Sequence, residues 1–285
     1  MIDLHSHSLF SDGSDTPAEL ALAADAAGLS ALALTDHDSV EGLGPFLAMQ
    51  SQIEARLIPG VEVSCAFLGR SLHVLGLFVD PADPLFQQRL AGLRERRDHR
   101  NLAMVTRLND LDVPIRMDHV LAYAHSCVVS RMHFALALAA MGAASSAEEA
   151  FRRWIGDGGP AYVPRQELEP GEAAQWIRDA GGVPLVAHPG RFAGRNFRWD
   201  EAMLELRREG MAGFEAWYGD YGPSEERYFL DLAGRCGMLP SGGSDYHGAH
   251  KPGLRLGRGR GALHVPDSAL ENLEAGRVNT GSEPR

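Results

Sequence analysis

The chain has 285 residues, of which 45% are apolar, and it carries a formal net charge of −11. This length suffices for one α/β barrel core with an added module, while the negative charge argues against a general nucleic-acid-binding surface. We expect no membrane-spanning helix, because no run of about 18 apolar residues occurs, and a reduced, cytoplasmic protein, because the three cysteines are odd in number and widely spaced.

The first predicted strand carries two histidines. Ile2 and Leu4 alternate with polar residues as in a short strand, so His5 and His7, two positions apart, point to the same face. Asp12 follows five residues later on a glycine-containing turn. Imidazole and carboxylate groups at this spacing predict the start of a metal site.

A helix and a second strand come next. Residues 16–19 have the pattern of an N-cap threonine, a first-turn proline and a capping-box glutamate, and they predict a helix that ends at Gly28. A strand over 31–35 completes a βαβ unit, and a second helix is expected over 39–55.

Five apolar segments of the chain lead into or carry polar side chains. The polar groups are His37 after 31–35, Glu62 after 57–61, His73 within 72–77, His188 after 183–187, and Asp245 and His247 after 238–243. In α/β barrels, catalytic groups lie at the carboxyl ends of the strands. We therefore predict an α/β barrel with its chemistry at one end.

Residues 81–160 interrupt the alternation of strands and helices. The helices expected there cover 84–111, 116–124, 130–141 and 145–154. We interpret this segment as a small all-helical insertion domain above the barrel mouth, within a discontinuous barrel domain of residues 1–80 and 161–285. The later barrel elements are expected as helices over 171–180, 199–209, 223–236 and 266–275 and a strand over 212–217.

The motifs resemble those of the PHP (polymerase and histidinol phosphatase) superfamily. They are, in order, D-L-H-S-H-S-x-x-S-D-G from Asp3, T-D-H-D from Thr35, G-V-E from Gly60, the strand with His73, A-H-P-G-R from Ala187 and S-D-Y-H-G from Ser244. The resemblance covers residues 2 to 80 and 160 to 250, approximately, and it implies a distorted (β/α)7 barrel around a trinuclear metal centre. Asp12 and the helical insert resemble a bacterial subgroup that contains nucleoside 3′,5′-bisphosphate phosphatases and 5′-to-3′ exoribonucleases.

The resemblance also implies how nine residues share three divalent ions. One ion would be held by His5, His7, Glu62 and Asp245, a second by Glu62, His73 and His188, and a third by Asp12, His37 and His247. This mixture of ligands suits Mn²⁺, and also Zn²⁺ or Fe²⁺, since no thiolate is included. Three such ions would make the pocket locally cationic in spite of the negative chain.

A multi-metal site of this kind predicts displacement at phosphorus by a hydroxide bridging the pair of ions linked by Glu62. The third ion, beside Asp12 and His247, would bind a phosphoryl oxygen. Either Asp245 or His247 would pass a proton to the leaving alkoxide, and the sequence does not choose between them. Asp36 and Asp38 are interpreted as groups that orient ligands or cap turns.

Phosphate-binding residues are expected outside the metal ligands. Arg131 and His133 at a predicted helix start, and Arg191 directly after a ligand, are candidates, although Arg131 also suits a surface salt bridge. The basic residues of the long insert helix favour a solvated face; they are Arg94, Arg96, Arg97 and Arg100. Within the subgroup, however, the R-x-x-R-N pattern that ends in Arg100 and Asn101 resembles a substrate-facing element.

The predicted activity is metal-dependent hydrolysis of the 3′-phosphate of nucleoside 3′,5′-bisphosphates, which yields a nucleoside 5′-monophosphate and phosphate. Exoribonuclease action on short RNA, or hydrolysis of another small phosphomonoester, is the main alternative. A C–N amidohydrolase and a non-catalytic metal-binding module remain further alternatives. The expected partner is a nucleotide substrate, with no membrane and no stable protein partner.

Overall fold

The computed structural model describes residues 1–124, 128–164, 168–194 and 196–280. Seven strands form one sheet in chain order. They are β1 Ile2–Asp3, β2 Ala31–Leu34, β3 Arg56–Phe67, β4 Arg70–Leu77, β5 Val183–Val186, β6 Gly213–Tyr218 and β7 Leu239–Gly243.

The sheet curls into a nearly closed barrel because its two ends meet. The backbone N–H of Leu4 donates to Gly242 O at 3.2 Å, and that of His7 donates to Tyr246 O at 2.8 Å. Gly243 permits this approach, since a Cβ there would lie 2.5 Å from the backbone nitrogen of His5. The predicted seven-stranded barrel is confirmed.

The β3–β4 hairpin distorts the barrel. β3 pairs with β4, and β4 with β5, in antiparallel fashion, whereas the other neighbouring strands are parallel. Leu68 and Gly69 join the hairpin with φ angles of 51° and 70°, as in the two-residue turns whose twist matches paired strands. Glu62 therefore lies within a long strand that runs on to Phe67, and not at a strand end as expected.

Helices pack around the barrel and form the insert. They are α1 Pro17–Ala26, α2 Leu43–Leu47, α3 Pro84–Asp110, α4 Met117–Leu121, α5 Arg131–Ala140, α6 Ala147–Ala150, α7 Pro170–Asp179, α8 Pro189–Phe192, α9 Trp199–Arg208, α10 Pro223–Cys236 and α11 Asp267–Thr280. The predicted capping box of α1 is present, since Thr16 Oγ1 accepts from Glu19 N at 3.2 Å and Glu19 Oε2 accepts from Thr16 N at 2.8 Å.

The single helix expected over 39–55 is wrong. Only α2 is α-helical there, and a 3₁₀ turn, Ala48–Gln52, follows it. Asp38 N donates to Glu62 O at 3.0 Å, so the chain before α2 is held to β3. Pro45 in α2 has no N–H to donate, which further disfavours a long helix.

The long helix α3 belongs to two hydrophobic cores. Phe86, Leu90 and Leu93 in its first half pack into the core around the barrel. Met104 and Leu108 pack into a separate core formed by residues between 104 and 161. The proposed boundary at 81 between barrel and insert stays a prediction. In the part of the chain that the structure describes, no helix is long and apolar enough to cross a membrane.

Candidate metal centre

The structure brings all nine predicted ligands together at one end of the barrel. Seven of them are buried, and the side chains of the other two, His188 and His73, are only 14% and 17% accessible. Most follow strands directly, as His5 follows β1 and His188 follows β5. Glu62 and His73 reach the same place from the β3–β4 hairpin.

Glu62 is the centre of the cluster. Its Oε1 atom lies 2.9 Å from His73 Nδ1 and 2.9 Å from His188 Nε2. Its Oε2 atom lies 2.9 Å from His37 Nδ1, 3.2 Å from His7 Nε2 and 3.5 Å from His5 Nε2. One carboxylate thus faces five imidazoles, which suits a bridging ligand better than an ordinary ion pair.

The remaining ligands form overlapping groups beside Glu62. The groups whose ligand atoms lie within 4.8 Å of one another are His7, Asp12, His37 and His247; His5, His7 and Asp245; His5, Glu62 and His188; and His37, Glu62 and His73. The trio expected for the third ion lies in one group, while His73 and His188 flank Glu62 in two others. The assignment of each ligand to an ion stays a prediction.

The donor set fits divalent ions. Among the described residues, Asp12 Oδ1, His37 Nδ1 and Glu62 Oε2 are buried without a hydrogen-bond partner, although His37 Nδ1 and Glu62 Oε2 are only 2.9 Å apart. Close atoms with unsuitable hydrogen-bond angles are expected of ligands that converge on an ion. Leaving such groups buried and unsatisfied is costly, so bound cations would stabilise them.

The electrostatics keep the carboxylates ionised. Burial alone would raise the pKa of Glu62, but His37 and His73 hold it well below its usual range. The pKa of Asp12 is lowered in the same way by His37 and His247 against the effect of burial. These carboxylates are therefore available to cations.

Two acidic residues orient the histidines. Glu215, which sequence analysis missed, is fully buried, and its Oε1 atom lies 3.0 Å from His5 Nδ1, which leaves His5 Nε2 free for an ion. Glu215 Oε2 accepts from His188 N at 2.6 Å. Asp36, as expected, acts through Ser11, whose Oγ donates to it at 2.6 Å and lies 3.3 Å from His7 Nδ1. A lone carboxylate within the apolar strand β6 was the available signal for Glu215.

A cavity of about 260 Å³ lies between this centre and the insert. We call its two sides the barrel wall and the insert wall. The barrel wall includes Asp12, His37, Glu62, Ser71, Leu72, His73, Ala187, His188, Arg191, Phe192, Asp245, His247 and Lys251. The insert wall consists of Arg97, Ser130, Arg131, Met132, Phe151, Gly156 and Asp157.

Two of the predicted phosphate-binding residues reach the cavity. Arg191 on the barrel wall has its Nη1 atom 3.0 Å from Tyr218 OH and 3.4 Å from Asp245 Oδ2. Arg131 on the insert wall donates to Asp157 Oδ1 at 2.6 Å. A guanidinium in either place can meet a phosphate oxygen.

Three others lie behind the insert wall and do not line the cavity. Arg100, Asn101 and His133 are buried, with at most 5% of each residue exposed. Asn101 Nδ2 donates to Val129 O at 2.9 Å, and His133 Nδ1 accepts from Ser130 N at 3.1 Å as part of the helix cap. Their role in substrate binding stays a prediction.

The solvated face expected for the arginines of α3 is wrong at Arg97 and Arg100, which are 6% and 5% exposed. Arg97 pairs with the carboxylate of Asp38 and donates to Ser64 Oγ at 2.9 Å. Arg97 is therefore buried against β3, and its charge is neutralised by Asp38.

The fold and the site define a class of protein. An α/β barrel whose strand ends gather imidazole and carboxylate groups is the architecture of a metal-dependent hydrolase. The chain matches the PHP domain model over residues 3–153, and it belongs to the PHP family of metal-dependent phosphoesterases. The resemblance found in the sequence is thereby confirmed.

Relatives of known sequence or structure agree with this placement. The chain is 34% identical over 257 residues to a 3′,5′-nucleoside bisphosphate phosphatase of Chromobacterium violaceum, with 90% of each chain covered. It is 32% identical over 266 residues to the 5′-3′ exoribonuclease Rnm of Escherichia coli, which covers 90% of this chain and 88% of the relative. A crystal structure of a candidate metal-dependent phosphoesterase from Bifidobacterium adolescentis superposes with a TM-score of 0.85 at 30% identity, covering 96% and 95% of the two chains.

Proposed function

We propose that the protein hydrolyses the 3′-phosphate of nucleoside 3′,5′-bisphosphates. The observation that carries the proposal is the cavity between the two walls: a candidate metal centre lies on one side and Arg131 lies on the other. Such a cavity suits a small substrate with two phosphates. Similarity to the bisphosphate phosphatase of Chromobacterium violaceum supports the choice.

The nine predicted ligands would hold three divalent ions. Mn²⁺ suits their mixture of imidazole and carboxylate groups. When bound, such ions supply Lewis acidity and an activated water for displacement at phosphorus. His247 Nδ1 lies 2.8 Å from the carbonyl oxygen of Asp245, which can only accept, so His247 Nε2 is the atom left for an ion.

The cytoplasmic location expected from the cysteines stays a prediction; Cys127, one of the three, lies outside the described residues.

The arrangement favours one orientation of the substrate. Arg131 would hold the 5′-phosphate, and the 3′-phosphate would then lie at the candidate metal centre with Arg191 beside it. The 5′-phosphate would act as a handle whose binding energy orients the reacting group. Asp245 would be ionised and would accept hydrogen bonds, because Lys251 and His247 hold its pKa well below the usual range against the effect of burial.

The test compares adenosine 3′,5′-bisphosphate with adenosine 3′-monophosphate on manganese-loaded protein. We expect adenosine 5′-monophosphate as the product of the bisphosphate. The monophosphate should react with a kcat/KM about a hundredfold lower, if the handle contributes about 3 kcal/mol. Release of adenosine 3′-monophosphate, or equal rates for the two substrates, would overturn this orientation.

A 5′-to-3′ exoribonuclease acting on short RNA is the second candidate. It is favoured by the similarity to the Escherichia coli exoribonuclease over 90% of this chain. The same centre and a 5′-phosphate handle would serve both reactions. Faster turnover of a 5′-phosphorylated oligoribonucleotide than of the bisphosphate would make the exonuclease the main function.

A further inference from the structure

Lys251 is the only lysine in the chain and lies on the barrel wall of the cavity. Its Nζ atom donates to Asp245 Oδ2 at 2.6 Å, and its side chain is 18% exposed. The motif that supplies Asp245 and His247 ends before it, so the proposed centre gives it no role. The other basic residues of the chain are arginines.

The second oxygen of Asp245 is saturated by donors. Besides Lys251, Tyr218 OH donates to Asp245 Oδ2 at 2.7 Å, and Arg191 Nη1 lies 3.4 Å away. Only Asp245 Oδ1 faces the histidines, at 3.3 Å from His7 Nε2 and 3.5 Å from His5 Nε2. Two cations thus share one carboxylate oxygen at the edge of the candidate centre.

Lys251 still has capacity to bind a ligand. An ammonium has three N–H donors, and among the residues that the structure describes Asp245 is the only acceptor found for it. The remaining donors lie on a cavity wall, next to the centre to which a phosphoryl group would be delivered. A compact cation beside a metal site is well suited to a non-bridging phosphate oxygen.

We propose that Lys251 is a catalytic residue that binds a non-bridging oxygen of the reacting phosphate while it remains hydrogen-bonded to Asp245. This inference rests on the proposed phosphatase function but not on the nucleoside. It adds a fixed positive charge where negative charge accumulates during displacement at phosphorus. Tyr218, which shares the carboxylate but does not line the cavity, would only position Asp245.

The test uses inorganic phosphate as the probe and metal-loaded protein throughout. In Lys251→Met, phosphate should bind about 10 to 100 times more weakly, as expected for loss of a charged hydrogen bond, while metal content is unchanged. Lys251→Arg should restore part of the affinity. Arg258→Met, which replaces an exposed arginine seven residues away, is the matched control and should leave phosphate affinity as it is.

Tyr218→Phe separates binding from positioning. It removes one donor to Asp245 and leaves the charge of the cavity intact, so phosphate affinity should change little. If Lys251→Met and Tyr218→Phe instead lower metal content alike and leave phosphate affinity unchanged, Lys251 acts only through Asp245 and the proposal is wrong.

A single lysine also permits a chemical readout that does not depend on turnover. Acetylation of Lys251, followed by peptide mass mapping, should slow at least tenfold in saturating phosphate, as expected when a charged hydrogen bond occupies the amine. The amino terminus is the internal reference. Undiminished acetylation would contradict the contact. Inorganic phosphate is the probe in these tests of Lys251. Failure of the protein to hydrolyse the bisphosphate would therefore refute the nucleotide assignment without deciding whether Lys251 binds phosphate.

Discussion

The predicted metal ligands of the barrel wall and Arg131 of the insert wall differ in how their polar groups are satisfied. On the barrel wall, Asp12, His37 and Glu62 each keep a buried atom without a hydrogen-bond partner among the described residues. On the insert wall, Arg131 is already paired with Asp157 and lies over the rings of Phe151 and Tyr162 at 5.9 Å and 5.6 Å.

This difference indicates which kind of ligand each wall requires. Groups that are buried and unsatisfied are costly until a cation binds them, so the barrel wall depends on ions for its stability. A guanidinium that is already paired is stable without a ligand, and a phosphate must share it with Asp157. Loss of a predicted metal ligand on the barrel wall should therefore affect metal content and catalysis, and loss of Arg131 on the insert wall should affect substrate affinity.

The largest expected effect comes from Glu62→Gln. Loss of the bridging charge should lower kcat/KM about a thousandfold or more, equivalent to about 4 kcal/mol of transition-state stabilisation. Metal analysis should show loss of the ions that Glu62 joins, from close to three per chain in the unaltered protein. Glu205→Gln, on an exposed helix face, is the control. Full manganese content in Glu62→Gln would refute the bridging role.

A smaller effect is expected on the insert wall. Arg131→Ala should raise KM about tenfold and leave kcat nearly unchanged, because a distant phosphate contact contributes equally to the ground and transition states. Arg152→Ala removes an exposed arginine from the same insert and serves as the control. A kcat/KM for Arg131→Ala equal to that of the control would show that the insert does not contact substrate at this residue.

The smallest effect is a pH dependence of thermal stability. Burial alone would lower the pKa of His7, but Asp245 and Glu62 raise it to about 9 from its ordinary 6.5 when no ion is bound. The stabilisation from protonated His7 is therefore complete below pH 6.5 and is lost as the pH rises through 9. Metal binding needs neutral imidazoles and strengthens as pH rises.

The gain in melting temperature on adding manganese to chelated protein should thus be larger at pH 8.5 than at pH 6.5, by a few degrees. Burial lowers the pKa values of His73 and His247 to about 3 and about 4. Their contribution to the stability of the fold is therefore constant above pH 6.5 and is lost only on acidification. In Arg131→Ala, the gain in melting temperature should increase between pH 6.5 and pH 8.5 as it does in the unaltered protein. A gain that shrinks with pH would contradict the charge state assigned to His7.

The sequence predicted most of the barrel wall but less of the insert wall. Groups such as His37 and His188 were predictable because each follows an apolar strand and the carboxyl ends of such strands meet. Glu62 needed the family resemblance to be assigned as a bridge. The burial of Arg97 was not predictable from α3 alone, because its cause is Asp38, which is 59 positions away. Glu215 was missed for a similar reason, since its partners His5 and His188 follow other strands.

The closure of the barrel between β1 and β7 also constrains how the protein is made. His5 and His7 are synthesised before Asp245 and His247, which follow some 240 positions later. A growing chain on the ribosome therefore carries an incomplete set of ligands until Asp245 and His247 have been translated. Bringing such distant segments together is slow compared with forming local contacts. Loading of the full set of ions is thus expected to follow translation and to accompany the last step of folding.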